Sequence, residues 1–224
     1  MSKTFTREEA RAYRNRIVHG TFVREGLFIA FPLCFPGATT PIPPDESRIG
    51  CLDVAADGSV YGLTRGHASH IFVGMTQGAT GAVLDLGTVE GATEAVGICC
   101  AAGGVVAAVH TAEGGCLITQ PYRGLPFDLL QEWSFPPVPH VLHPPLSPGC
   151  RLTGLARSAD RTHVVATTED AVFLVSPQDG TAGRGGETTN SGTPAFVGRR
   201  AFGHRSGSGL WSLDPESRDF STDS

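Results

Sequence analysis

Short apolar runs separated by Gly, Pro and Asp dominate the chain from about residue 21 onward. Ile49-Gly50-Cys51-Leu52-Asp53-Val54 and Val60-Tyr61-Gly62-Leu63-Thr64 flank a turn containing Asp57-Gly58. Asp-Gly tolerates the positive φ that a tight hairpin needs, so the two runs predict paired antiparallel strands. The pattern returns 46 residues later, where Ala95 to Ala101 and Val105 to His110 flank Gly103-Gly104. A third copy runs from Leu155 to Arg161 and, after one inserted residue, from His163 to Thr168, with Asp160 in the place of Asp57 and Gly103.

Each copy continues into a third strand: Ser69 to Gly74, Gly115 to Thr119, and Asp170 to Val175. Gly81 to Gly87 supplies a fourth strand in the first copy, and Leu129 to Trp133 is the corresponding expectation in the second. Ala201 to Gly203 and Gly209 to Pro215 echo the second and third strands of one more unit. Near the N-terminus, Thr6 and Glu9 have capping-box spacing and Ala10, Tyr13 and Ile17 follow at helical intervals, which predicts a short helix. Two short strands are expected at Thr21 to Val23 and Gly26 to Phe31. The Pro-rich stretch Phe135 to Pro148 and the Gly-rich stretch Gln178 to Thr193 read as surface excursions.

A period of this length signals a repeat architecture. The expected fold is all-β: a small or incomplete β-propeller of about four to five four-stranded blades, preceded by a short N-terminal helix. Residues 1–20 form the helical segment and 21–224 the propeller domain. The first and last units look incomplete, so either the strands near Thr21 to Phe31 close a small ring against the C-terminal unit, or another chain completes an open arc.

The runs Asp57 to Thr64, Ser69 to Phe72 and Val83 to Gly87 resemble the kelch-like blades of bacterial β-propellers, including blades of the oligogalacturonate-lyase type. That resemblance implies radially arranged four-stranded sheets. It further implies that imidazoles and an arginine near the channel hold a metal and a sugar carboxylate, for which Arg65, His67, His70 and His110 are the matching residues. Their plainer role is as polar residues of surface turns, since no acidic partner follows at a diagnostic metal-ligand spacing.

Composition narrows the function classes. The chain is 40% hydrophobic and 17% charged, enough apolar material for a core. A net charge of -5 argues against a nucleic-acid partner. No stretch reaches the roughly 20 apolar residues of a membrane helix, and the polar start at Ser2-Lys3-Thr4 is unlike a secretory signal. The six cysteines form no Cys-x-x-Cys pair. Cys99 and Cys100 point to opposite faces of one strand, so free thiols used in packing, and a cytoplasmic location, are expected. No nucleophile elbow, phosphate loop or dinucleotide fingerprint is present, and no cofactor is expected. Carboxylates such as Asp53, Asp85 and Asp128 are dispersed.

The leading expectation is a non-catalytic binding or assembly module, a subunit with a protein partner or a homo-oligomer. Trp133, Phe135, His140, Leu142 and His143, in and beside the Pro-rich stretch, are its expected contact residues, because aromatics anchor interfaces. His140 and His143 would share a face if the prolines impose a polyproline turn. The alternative is a metal-assisted lyase or hydrolase acting on acidic oligosaccharides, with carbohydrate as its ligand.

Overall fold

The computed structural model describes residues 16–22, 28–30, 48–66, 69–77, 80–122, 140–207 and 209–223; for residues 16–22, 28–30, 75–77 and 80–85 it describes the backbone alone. Every regular element among them is a strand. With strands numbered in chain order, β1 (Arg16–Phe22) and β2 (Phe28–Ala30) precede four antiparallel meanders. The first blade is β3 (Arg48–Val54), β4 (Val60–Arg65), β5 (His70–Gln77) and β6 (Thr80–Thr88). The second is β7 (Ala92–Ala101), β8 (Gly104–Thr111), β9 (Gly114–Gln120) and β10 (Val141–Pro145). The third is β11 (Leu152–Arg157), β12 (Val164–Thr168), β13 (Ala171–Val175) and β14 (Ala182–Glu187). The fourth is β15 (Ala195–Val197), β16 (Arg200–Arg205), β17 (Gly209–Leu213) and β18 (Phe220–Thr222).

The first strands of successive blades touch in order, β3 on β7, β7 on β11 and β11 on β15, so they lie innermost. The sheets stack face to face, as propeller blades do, and alternate side chains enter the core on either side. Tyr61, Leu63, Ile71 and Val73 of the first blade meet Ile98, Cys100, Ala107 and Ile118 of the second. Cys99, Ala101, Val106 and Leu117, on the opposite face of the second blade, meet Leu155, Val164, Ala166 and Phe173 of the third. Cys99 and Cys100 therefore serve different cores, as their alternation demands. A smaller cluster of Val165, Val172, Ala201, Trp211 and Leu213 joins the third blade to the fourth.

The innermost hairpin carries the same irregularity in three blades. A bulge falls between Ile49 and Cys51, between Ala95 and Gly97, and between Leu152 and Gly154, which are matching positions of the repeat. The offset of 46 residues holds along the first and third strands and falls to 45 along the second. Leu52 pairs with Gly62, whereas Ile98 pairs with Ala107, which lies 45 residues beyond Gly62. The turn at Asp57 is one residue longer than the turn at Gly103. Because side chains alternate, that single residue decides which side chains of β4 and β8 turn toward which neighbouring blade.

Several expectations need correction. β1 pairs with β6, and β2 with β1, so the N-terminal strands extend the first blade to six strands instead of joining the C-terminal unit. β1 begins at Arg16 and crosses the boundary drawn after residue 20. The expected helix falls on residues outside the described ones, except Arg16 and Ile17, which are in β1. The Pro-rich stretch contributes β10, the outermost strand of the second blade, and the expected Leu129 to Trp133 strand lies outside the described residues. The Gly-rich stretch contributes β14, which pairs with β13. The last unit has its full four strands, completed by β15 and β18.

Candidate functional site

The turns at one end of the innermost strands are tied together by a group the sequence reading passed over. Asp53 projects from β3 toward the second blade. Its Oδ2 accepts from the Cys100 backbone N–H at 2.7 Å and from Arg157 Nε at 2.6 Å, and its Oδ1 accepts from Arg157 Nη2 at 2.9 Å. One carboxylate thus links β3, β7 and β11. Burial alone would raise its pKa, but the hydrogen bonds from Arg157, Cys100 and Val54 outweigh burial and hold it below the ordinary carboxylate value. Arg161, in the turn after β11, donates to the Val54 carbonyl at 2.7 Å and to the Cys100 carbonyl at 3.5 Å. Its own carbonyl accepts from Ala102 N–H at 2.7 Å. Arg161 takes a left-handed φ of 66° at the turn position where the first blade has Gly58, at 85°.

These bonds are directed at protein atoms, which makes the cluster a clamp. The neighbouring thiols are equally closed to chemistry. Burial pushes Cys51 up to about 11 and Cys100 up to about 12, while Cys99 rises further for the same reason. All five cysteines among the described residues are free.

The residues expected to hold a metal or a sugar are divided. Arg65 and His110 meet through Glu94: Arg65 Nη2 lies 3.5 Å from Glu94 Oε1, and His110 Nδ1 lies 3.1 Å from Glu94 Oε2. Arg65 also donates to the Ala95 carbonyl at 2.9 Å, and His110 Nε2 faces the Leu152 carbonyl at 3.1 Å. Both imidazole nitrogens thus face protein acceptors. His70 is buried at the start of β5, its backbone N–H donating to Thr64 Oγ1 at 2.9 Å. His67 lies outside the described residues. Among the described residues, no three His, Cys, Asp or Glu side chains are grouped to hold a metal ion.

Of the expected contact residues, Trp133 and Phe135 lie outside the described residues. His140 precedes β10, half-buried, with burial lowering its pKa. β10 begins at Val141, so His143 lies within the strand and His140 just before it. His143 Nε2 meets Thr119 Oγ1 at 2.8 Å. Leu142 is exposed, and with His143, Pro144, Glu90 and Glu113 it lines a cleft of about 460 Å³ beside β10.

The largest departure from the repeat is on the leading face of the first blade. Ala95, Ile98 and Cys100 pack against the preceding blade, and so do their third-blade counterparts Leu152 and Leu155. The matching residues of the first blade are Ile49, Leu52 and Val54. They are 59, 50 and 45% exposed, against 8% or less for those five counterparts. Leu52 and the Phe72 ring lie over Gly62 on this face, where a Cβ would collide with both. The repeat could have revealed the surface, since the positions of Ile49 and Leu52 are apolar in all three copies and that of Val54 in the first two, although the first copy has no preceding blade among the described residues.

No protein-family model matches the sequence, and no curated protein matches it at a significant level. Solved structures do match. A candidate 6-phosphogluconolactonase of Bacteroides uniformis superposes with a TM-score of 0.53 at 12% identity, over 94% of this chain and 67% of its own. The likeness is one of fold. The β-propeller domain of Myceliophteria thermophila Cps50 (Swd1) gives a TM-score of 0.47 at 12% identity, over 78% of this chain and 50% of its own. The Dos1 propeller gives 0.48 at 11% identity, over 88% and 50%. The chain spans about half the length of these two propellers and two thirds of the Bacteroides protein.

Proposed function

We propose that this β-propeller arc is a non-catalytic assembly module whose first blade is completed by a β-sheet from another polypeptide. The observation that carries the reading is the exposure of Ile49, Leu52 and Val54 at positions that blade-to-blade packing buries elsewhere in the same chain. Full burial of such a side chain is worth about 1.5–3 kcal/mol relative to full exposure. Covering three half-exposed ones would therefore contribute about half of that sum to association. The clamp at Asp53 supports the same reading, because it holds the first blade rigidly on the second and third and leaves the leading face preformed. The polar cluster of Arg65, Glu94 and His110 is internally paired and fits a structural role.

The test is the double variant Ile49→Asp, Val54→Asp, which places charge on the exposed face without entering a core. The unmodified chain should sediment as a complex after gentle purification, and the variant should sediment as a lone chain with unchanged circular dichroism and melting temperature. A wild-type chain that is solitary at every concentration, and recovers no partner from native extract, would overturn the reading.

A further inference from the structure

We infer that the sheet covering the first blade is the fourth blade of a second copy of this chain, so that two arcs close one ring of eight blades. The inference rests on the assembly reading above and names its partner.

Two of the packed junctions show what occupies the leading face of a blade. Ala95, Ile98 and Cys100 are covered by the sheet of the first blade, and Leu152 and Leu155 by the sheet of the second. By the repeat, the occupant over Ile49, Leu52 and Val54 is a blade sheet too. The N-terminal strands of the same chain do not take that place, because β1 and β2 continue the first blade sideways from β6.

A blade sheet with an uncovered trailing face exists at the other end of the arc. Phe196, Ala201, Trp211 and Leu213 of the fourth blade point toward the third. Strand alternation turns Val197, Phe202 and Leu210 the opposite way. Val197 and Leu210 are 69 and 51% exposed, and Phe202 is half-buried. Val197 is on the innermost strand β15, as Ile49, Leu52 and Val54 are on the innermost strand β3. Seating β15 of one copy on β3 of another repeats the contact of innermost strands made at all three junctions within the chain.

A two-fold axis along the channel makes both new junctions identical and leaves no face over. Propellers are built with four to eight blades, and two arcs of four reach the upper end of that range. If each arc turned through other than half a circle, the same contact would propagate into an open polymer instead.

Mass and pairing test this directly on the full chain. Light scattering should give twice the chain mass, falling to one mass in Ile49→Asp and, separately, in Val197→Asp. A mixture of Ile49→Cys chains with Val197→Cys chains, treated with a short bis-maleimide, should yield a cross-linked dimer beyond the wild-type background, and either variant alone should not. A ladder of higher oligomers, or a dimer that survives both Asp substitutions, would overturn the ring. A chain that stays single, yet loses a different protein partner on Ile49→Asp, would overturn self-assembly while leaving the assembly reading in place.

Discussion

Asp53 occupies a repeat position held by Cys99 in the second blade and Ala156 in the third, so a charge stands where the other copies place small, weakly polar side chains. Its partner Arg157 lies 104 residues away in sequence. No spacing rule relates residues so far apart, and for that reason the pair was illegible before the blades were stacked. The legible signal was the odd residue in an aligned column. Because Asp53 is held below its ordinary pKa in the folded state, its stabilisation is fully present above about pH 5 and is lost as the pH falls through the folded-state value. Asp53→Asn should lower unfolding stability by about 1–2 kcal/mol at pH 7, since it removes charge-assisted hydrogen bonds from a partly exposed site. Urea titrations at pH 7 and pH 3 check this: the gap between wild type and variant should narrow at the lower pH, and an unchanged gap would show that Asp53 acts by shape alone.

Among the elements, the three inner strands of a blade were readable and the outermost was less so. Inner strands flanked by a blade on either side are covered on both faces and, like those of the first blade, read as apolar runs closed by Asp-Gly, Gly-Gly or similar turns. The outer strands β10 and β14 have the sequences VLHPP and AGRGGE, in which half-exposure removes the apolar signal and Pro or Gly mimics a loop. Glycine within an inner strand can likewise have a packing reason visible only in three dimensions. On β16, Gly203 lies beneath the indole of Trp211, where a Cβ would collide with the ring. Trp211 is 1% exposed and donates its indole N–H to Ser191 Oγ at 2.9 Å, so the ring has no room to retreat. Gly203→Ala should therefore destabilise the chain by about 1–3 kcal/mol through overpacking, in spite of the better strand propensity of Ala. Chemical denaturation monitored by tryptophan fluorescence measures it, and a neutral result would mean the indole is less confined than its burial implies.

At the scale of the whole molecule, stacked blades bury their apolar faces against their neighbours, with the Asp53–Arg157 clamp a tie that skips one blade, and stability follows the size of each junction. The first two junctions enclose extended cores, and the third rests on a cluster centred on Trp211. The fourth blade should consequently open first: amides of β16 and β17 should exchange with solvent faster than those of β8 and β12, and uniform protection across the four would contradict the ranking. Propagation of the assembly is constrained in another direction by β10. Its register sets Val141 opposite Thr119 and Pro145 opposite Cys116, with Pro144 beside it. Neither proline has an N–H to offer an incoming strand, so the rim of the second blade is a poor template for edge-to-edge growth or cross-β stacking. The molecule can thus keep an apolar face open for a specific sheet while its perimeter stays resistant to indiscriminate strand addition at that blade.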